Sequence, residues 1–569
     1  MKVSMNCKIF FFTLGLLFCI NKCIAKSVVV SANKFATEAG MEILAKGGNA
    51  VDAAVTMQYT LGLVEPQSSG IGGGGFTLIF MKEQNKLYTF DGRETAPVNI
   101  PLNFFEKYKG SRNKFYELVT NPASVGVPSI PLLLEHIHKK FGRLPWYDLH
   151  DNPINLSKKG FLISPRLNAL VSRDKFLNTS KNSKDYFFNS NSEINSVKPI
   201  GFLLKNKDYA NTLQTLQTLG AKKSLYPGII SKNILKDLSL TKKQVFLTQE
   251  DFKNYKVIAR DPICGFYRTY KICSMGPPSS GALTLLQALG MLEKFKINKN
   301  TPLPSVIHLV SEATRLAFVD RNFYIGDPDF VQVPVSEMLD KDYLKKRANL
   351  ISISKRMASV QPGNFAKFKL REMNNDVSMD STTHFVVLDK WGNGVSMTSS
   401  IESAFGSRIF SQGFFLNNQL TDFSFKTFGR DGRLLQNALE PRKRPLSSMS
   451  PTIIFDKDGN LYAMLGSPGG KNIISYVLQT IIGLIDLKLS PQDAVNKGRF
   501  TNNGFRFSLE KNRFSEKTIN MLEKKGYKNI KEKRHFSGIH VIKVKQAAID
   551  KKIFETGVDP RREGKALIK

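Results

Sequence analysis

The chain has 569 residues, enough to bury a large core, and it carries no Pro/Ser-rich linker, internal repeat or long low-complexity run. It therefore reads as one large α/β unit rather than beads on a string. The formal net charge is +34, from 82 Lys and Arg against 48 Asp and Glu, but the lysines are spread along the chain with no basic stripe among aromatics, which argues against a nucleic-acid partner.

Lys2 and Lys8 precede an apolar run, Ile9 to Ile20, followed by Asn21-Lys22-Cys23-Ile24-Ala25. This predicts a secretory signal peptide over residues 1–25, cut after Ala25, and an exported protein, periplasmic or secreted. The run is short for a membrane span, and no other segment approaches that length, so no stable span is expected once the leader is removed. Apolar residues at helical spacing from Thr37 to Lys46 predict a helix closed by Gly47-Gly48. Asn49 is placed to cap a second helix, Val51 to Leu63, which Pro66 stops. Gly70 to Gly75 matches G-x-G-x-x-G, but it follows a helix and precedes a strand, Phe76 to Phe80. That is the reverse of a dinucleotide site, so the run reads as a close-packed turn.

Residues 130 to 345 look mainly helical, with periodic segments at Leu132–Phe141, Ala282–Phe295 and Val306–Val319. Cys264 and Cys273 are the two cysteines outside the leader, and they flank a candidate hairpin. An exported protein permits a disulfide there, but strand register decides whether it forms. His136 and His138 are the one close histidine pair, and on a helix their rings would not face the same way. No metal, no cofactor and no G-x-S-x-G elbow is expected. The run Lys524 to Arg534 reads as a solvated basic face.

From residue 382 the character changes to short strands with turn signals, then a helix near Ile473 to Ile485. A polar stretch, Met373 to Ser381, runs into Thr382-Thr383-His384-Phe385-Val386-Val387-Leu388-Asp389. A hairpin turn at Lys390–Gly394 leads to a second strand, Val395–Ser400. On these residues alone, Thr382 is ordinary β-branched strand material. A cut before it would instead free an α-amine with a pKa near 8, able to take a proton from its own hydroxyl.

Other motifs bear on that choice. They include Asp91-Gly92-Arg93-Glu94-Thr95-Ala96-Pro97, Gly276-Pro277-Pro278-Ser279-Ser280-Gly281 and Asn417-Asn418-Gln419-Leu420-Thr421-Asp422. Ser447-Ser448-Met449-Ser450-Pro451 and Gly466-Ser467-Pro468-Gly469-Gly470 follow. Together and in this order, with Thr382, they resemble the γ-glutamyltransferase family of N-terminal-nucleophile hydrolases, over nearly the whole chain after the leader. The resemblance implies an α+β fold, a four-layer αββα sandwich. It implies self-cleavage between Ser381 and Thr382, giving a large subunit of residues 26–381 and a small one of residues 382–569. The reaction it implies is acylation of Thr382 by the γ-glutamyl group of glutathione or a related compound. Transfer to water or to an amino acid or peptide amine would follow, with no cofactor.

By the same resemblance, Thr382 is the nucleophile and Ser400 its hydroxyl partner, where the family usually has threonine. Gly469 and Gly470 supply oxyanion N–H groups. Arg93, Ser447 and Ser448 take the donor α-carboxylate, and Gln419, Asp422 and Glu402 its ammonium. Glu402 stands where the family commonly has asparagine, which leaves donor preference open. Residues 425–442 correspond to a loop that covers the pocket in some members. Two rival readings are a same-fold acylase on another amide, such as a β-lactam side chain or poly-γ-glutamate, and an unprocessed binding protein for γ-glutamyl compounds.

Overall fold

Alternating side-chain direction along fully buried strands explains how this chain layers. Val28 and Val30 of strand β1 (Val28–Ser31) face one core, and Val29 faces another. In β7 (Thr383–Leu388) Val386 and Leu388 join the first of these cores, Phe385 and Val387 the second. Strands buried on both faces need near-continuous apolar sequence, which is why neither reads as a clean alternation. The computed structural model describes residues 26–189, 196–366, 368, 381–504, 506–548 and 551–569. The leader read at residues 1–25, and the polar stretch before Ser381, lie outside the described residues.

The remaining strands of the two large sheets are β2 (Gly74–Met81), β3 (Lys86–Gly92), β4 (Ile258–Arg260), β5 (Ile263–Tyr267), β6 (Tyr270–Ser274), β8 (Gly394–Ser400), β9 (Thr452–Phe455), β10 (Leu461–Gly466), β11 (His540–Ala548), β12 (Lys551–Val558) and β13 (Lys565–Ile568). One sheet runs β13-β1-β7-β8-β2-β3-β4, the other β12-β11-β10-β9-β6-β5. Every pairing in both is antiparallel. The inner faces meet through residues such as Phe76, Leu78, Val386, Ile454 and Met464. Helices α1 (Lys34–Ala45) and α2 (Ala50–Val64) cover the outer face of the first sheet. Helices α3 (Gly281–Leu292) and α5 (Ile473–Ile485) cover the second, with α4 (Leu303–Tyr324) packed on α3. The layers are therefore helix, sheet, sheet, helix.

Asn49 caps α2 by accepting from the Val51 and Asp52 N–H groups, and Asp52 returns a bond to the Asn49 N–H. The first helix starts at Lys34 rather than Thr37, because Asn33 accepts from the Phe35 N–H and caps it earlier. Helix α4 runs on past Val319 to Tyr324, since its polar last turn is buried and satisfied: Asp320 pairs with Arg347 at 3.1 Å. The helical region from 130 to 345 is interrupted by β4, β5 and β6. Cys264 and Cys273 stand opposite each other across β5 and β6, 4.1 Å apart at Cα, and form a disulfide.

Candidate active site

The β7–β8 hairpin sets the position of Thr382. Its register pairs Thr383 with Ser399, which returns Ser400 to the start of β7. The chain is continuous through Ser381 and Thr382. Thr382 Oγ1 lies 2.6 Å from the Ser381 carbonyl oxygen and 3.2 Å from Ser400 Oγ. The Ser400 hydroxyl donates to the same carbonyl at 2.8 Å, and the Glu402 N–H donates to Ser400 Oγ at 2.9 Å. Two hydroxyls thus converge on one peptide carbonyl, both from buried side chains. Ser381 is anchored from the other side, where its hydroxyl donates to the Gln67 carbonyl. The glycine run lies under this point: a Cβ on Gly73 would sit 2.2 Å from the Ser400 carbonyl oxygen. A close-packed turn is what the sequence suggested there.

Arg93, Thr382, Ser400, Glu402, Gln419, Asp422, Ser447, Ser448 and Gly470 line one cavity of about 30 Å³, room for about one water in the uncleaved chain. Gly469 lies beside it and does not line it. Its φ is +131° and that of Gly470 is +54°, and a Cβ on Gly469 would meet the Tyr476 ring at 2.6 Å. Only glycine fits this corner, where the chain turns into α5. Arg93 is fully buried. Its Nε donates to the Pro445 carbonyl at 3.1 Å, and its Nη2 to Asp422 at 2.6 Å and to the Leu446 carbonyl at 3.0 Å. The two groups expected to hold opposite ends of a ligand therefore hold each other here. Nη1 is the uncommitted end of the fork, 3.8 Å from Glu94 Oε2.

Gln419 also donates to Asp422, at 2.7 Å. Glu402 accepts from Asn418 Nδ2 and sits at φ +77°, a left-handed conformation that costs glutamate more than asparagine. Burial raises the Glu94 carboxyl to about 8, against the pull of the adjacent Arg93. Burial also pushes His384, two residues past Thr382, well below its usual value. The His384 Nδ1 lies 2.9 Å from Thr398 Oγ1. Its neighbour His540 is held at about 4, again by burial.

Sequence reasoning missed Arg321, Leu446, Met449, Lys471 and Ile473 of the lining. Met449 lay inside the Ser447–Pro451 motif but was given no role, and Arg321 is one of several charged residues in α4; the others carried no signal. Residues 425–442 do not line the cavity. Phe425 instead joins Phe105 and Phe115 in a separate aromatic cluster. His136 lies against the Phe90 ring while His138 reaches the Leu144 carbonyl. Among the described residues no group of three or more His, Cys, Asp or Glu is placed to hold a metal ion, and no helix is long and apolar enough to cross a membrane.

Comparison with known proteins shows the family of the chain. The sequence model of the gamma-glutamyltranspeptidase family matches residues 36–568. The glutathione hydrolase proenzyme of Bacillus subtilis (strain 168) is 36% identical over 491 residues, covering 84% of this chain and 80% of that protein. The glutathione hydrolase proenzyme of Escherichia coli (strain K12) is 35% identical over 516 residues, covering 88% and 86%. The crystal structure of cephalosporin acylase from Bacillus halodurans superposes with a TM-score of 0.82 over 98% of this chain and 99% of that one. At 23% identity that likeness speaks for the αββα fold alone. A family match over nearly the whole chain, and relatives aligned over most of their own length, place this chain in the gamma-glutamyltranspeptidase family, whose members are N-terminal-nucleophile enzymes made as proenzymes.

Proposed function

We propose that this protein is a glutathione hydrolase and γ-glutamyltransferase that activates itself by cleaving the Ser381–Thr382 bond. The observation that carries the reading is the pair of hydroxyls, Thr382 and Ser400, converging on the Ser381 carbonyl beside a buried Arg93 and Asp422. Thr382 Oγ1 attacks the Ser381 carbonyl carbon. The C–N bond breaks, and the hydroxyl proton passes to the departing amine, with Ser400 placed to polarise the carbonyl. Water then splits the Ser381–Thr382 ester, leaving a Ser381 carboxylate, the Thr382 hydroxyl and a free Thr382 amine.

In the mature enzyme that amine is the base, with a reference pKa near 8. It takes the proton of Oγ1 as Oγ1 attacks the γ-carbonyl of the donor. The proton goes on to the leaving amine, which for glutathione is cysteinylglycine. Gly469 and Gly470 supply N–H groups to the oxyanion. Water, or the amine of an amino acid or peptide, then takes the γ-glutamyl group from Thr382. Arg93, Ser447 and Ser448 hold the donor α-carboxylate, and Asp422, Gln419 and Glu402 the ammonium. Cleavage releases the Ser381 carbonyl from the Thr382 and Ser400 hydroxyls, which frees Thr382 Oγ1 for the donor.

The mature protein comprises residues 26–381 and 382–569 and works outside the cytoplasm, as the leader suggests. The test is a panel of p-nitroanilides. The γ-glutamyl donor should be turned over far faster than the glutaryl donor, which lacks the amine. Preference for glutaryl would replace this reading with that of another acylase on the same fold.

A further inference from the structure

Ser447 and Ser448 stand next to each other on the cavity wall, and each hydroxyl has its oxygen occupied. Ser447 Oγ accepts from the Met449 N–H at 3.1 Å, and Ser448 Oγ accepts from Arg321 Nη2 at 3.2 Å. Neither hydroxyl gives its own proton to an acceptor among the described residues. A serine hydroxyl has one proton and two lone pairs. With a donor already at the oxygen, the proton is left for whatever enters the cavity. Two such protons side by side suit a group that only accepts hydrogen bonds, and an ionised carboxylate is one.

Arg321 does not reach this position by accident of packing. It is almost completely buried near the C-terminal end of α4. Its Nε donates to Ser280 Oγ at 3.0 Å, and its Nη1 to Asn322 Oδ1 at 2.8 Å. The Ser280 hydroxyl in turn donates to the Ser447 carbonyl at 2.7 Å, and the Ser280 N–H to the same oxygen at 2.8 Å. The Ser279 hydroxyl donates to the Met449 carbonyl at 2.6 Å. The 276–281 turn and Arg321 thus grip the Ser447–Met449 segment from behind and fill the Ser448 oxygen from the side. A guanidinium can only donate, so its contact leaves the Ser448 hydroxyl as a donor toward the cavity.

We propose that Arg321 is a positioning residue for donor recognition: it fixes the Ser448 hydroxyl as a hydrogen-bond donor to the substrate α-carboxylate, with Ser280 holding Arg321 in place. This rests on the reading of the cavity as a γ-glutamyl site. It divides carboxylate recognition between Nη1 of Arg93, the one uncommitted arm of that side chain, and two oriented hydroxyls. Removing the guanidinium lets the Ser448 hydroxyl turn, and the carboxylate loses a directed donor. The amine end of the donor, on the Asp422 side, is untouched.

The experiment compares wild type with Arg321→Met and Arg321→Lys on three p-nitroanilides. These are γ-glutamyl, glutaryl (no amine) and 4-aminobutanoyl (no α-carboxylate), with KM, or the competitive inhibition constant where turnover is slow, as readout. Arg321→Met should raise the constant about tenfold for the two donors that carry the carboxylate and leave the third within about twofold, the loss of one directed hydrogen bond. Arg321→Lys should recover part of the loss. Self-cleavage into two chains certifies that a variant folds. If Arg321→Met does not fold, Ser280→Ala and Ser448→Ala face the same three donors with the same expected pattern. An equal loss on all three, or no loss on any, overturns the proposal and assigns Arg321 a structural role. Failure of the wild-type enzyme to use the γ-glutamyl donor would instead sink the functional reading beneath it.

Discussion

Arg93 has two obligations that pull in opposite directions. It pairs with Asp422 at 2.6 Å and faces the buried Glu94 at 3.8 Å, and in the proposed function it also offers charge to a ligand. Arg93→Ala should weaken γ-glutamyl binding by about 2–5 kcal/mol, because a desolvated carboxylate loses its partner. It should also lower thermal stability, since a broken buried pair leaves charge uncompensated at a cost of about 3–5 kcal/mol. Steady-state kinetics and a melting curve on one sample read both effects, and an unchanged KM would remove Arg93 from the donor site. At Glu402 the expectation runs the other way. Its φ of +77° suits asparagine, so Glu402→Asn should keep activity on a γ-glutamyl anilide without loss of melting temperature. Glu402→Lys should abolish donor binding by repelling the ammonium, and a fully active lysine variant would place residue 402 outside the site. The roles of Arg93 and Asp422 were suggested by motif order, but their mutual ion pair was not. A contact between residues 329 positions apart leaves no local trace in sequence.

At the scale of elements, hairpin and turn matter more than any helix. Gly73 lets the turn before β2 approach the end of β8, with no space for a Cβ against the Ser400 carbonyl. Gly73→Ala should therefore shift Ser400 and slow self-cleavage by about tenfold or more, as sub-ångström displacements at reacting groups do. The control is Gly47→Ala, at φ +91° with open space around its Cβ position, which should strain α1's end but leave cleavage unchanged. Equal cleavage rates in the two variants, followed on a denaturing gel, would detach the glycine turn from the reaction. The hairpin was readable because turn residues and β-branched residues sit where strand geometry needs them. The early start of α1 was not readable from periodicity, since the cap at Asn33 decides it. Inside the helical region β4, three residues long, was hidden by its brevity, whereas the β5–β6 hairpin was expected from the run between Cys264 and Cys273.

The whole molecule is built so that a cut at Ser381–Thr382 does not separate it. Strand β1, ahead of the cut, lies between β13 and β7, both beyond it. In the second sheet β6, ahead of the cut, pairs with β9, beyond it. The two pieces should therefore co-purify and part only on denaturation. The same burial makes the fold sensitive to acid. His540, His535 and His150 are each lowered to about 4, with burial the largest cause. A group whose folded pKa is depressed binds its proton more readily when unfolded. These histidines contribute full stability above about 6.5 and lose it as pH falls toward about 4. Glu94, raised to about 8, acts with opposite sign and costs stability as pH rises from its unfolded value toward 8. Other buried groups act on both sides, His384 with the histidines and Asp320 and Asp389 with Glu94, so the test is made at one residue: His540→Gln should reduce the loss of melting temperature between about pH 6.5 and pH 4, and an unchanged profile would contradict the buried neutral state. The layered fold was legible through the family resemblance, whereas periodicity alone supported only mixed α/β, because strands buried on both faces lose their alternation. The central claim is the bond that breaks. N-terminal sequencing of the smaller fragment, for wild type and for Thr382→Ala, tests it most directly. The account predicts a wild-type fragment beginning Thr382-Thr383-His384 and a single uncleaved, inactive chain for the alanine variant. A different first residue, or cleavage of the alanine variant at the same bond, would contradict it.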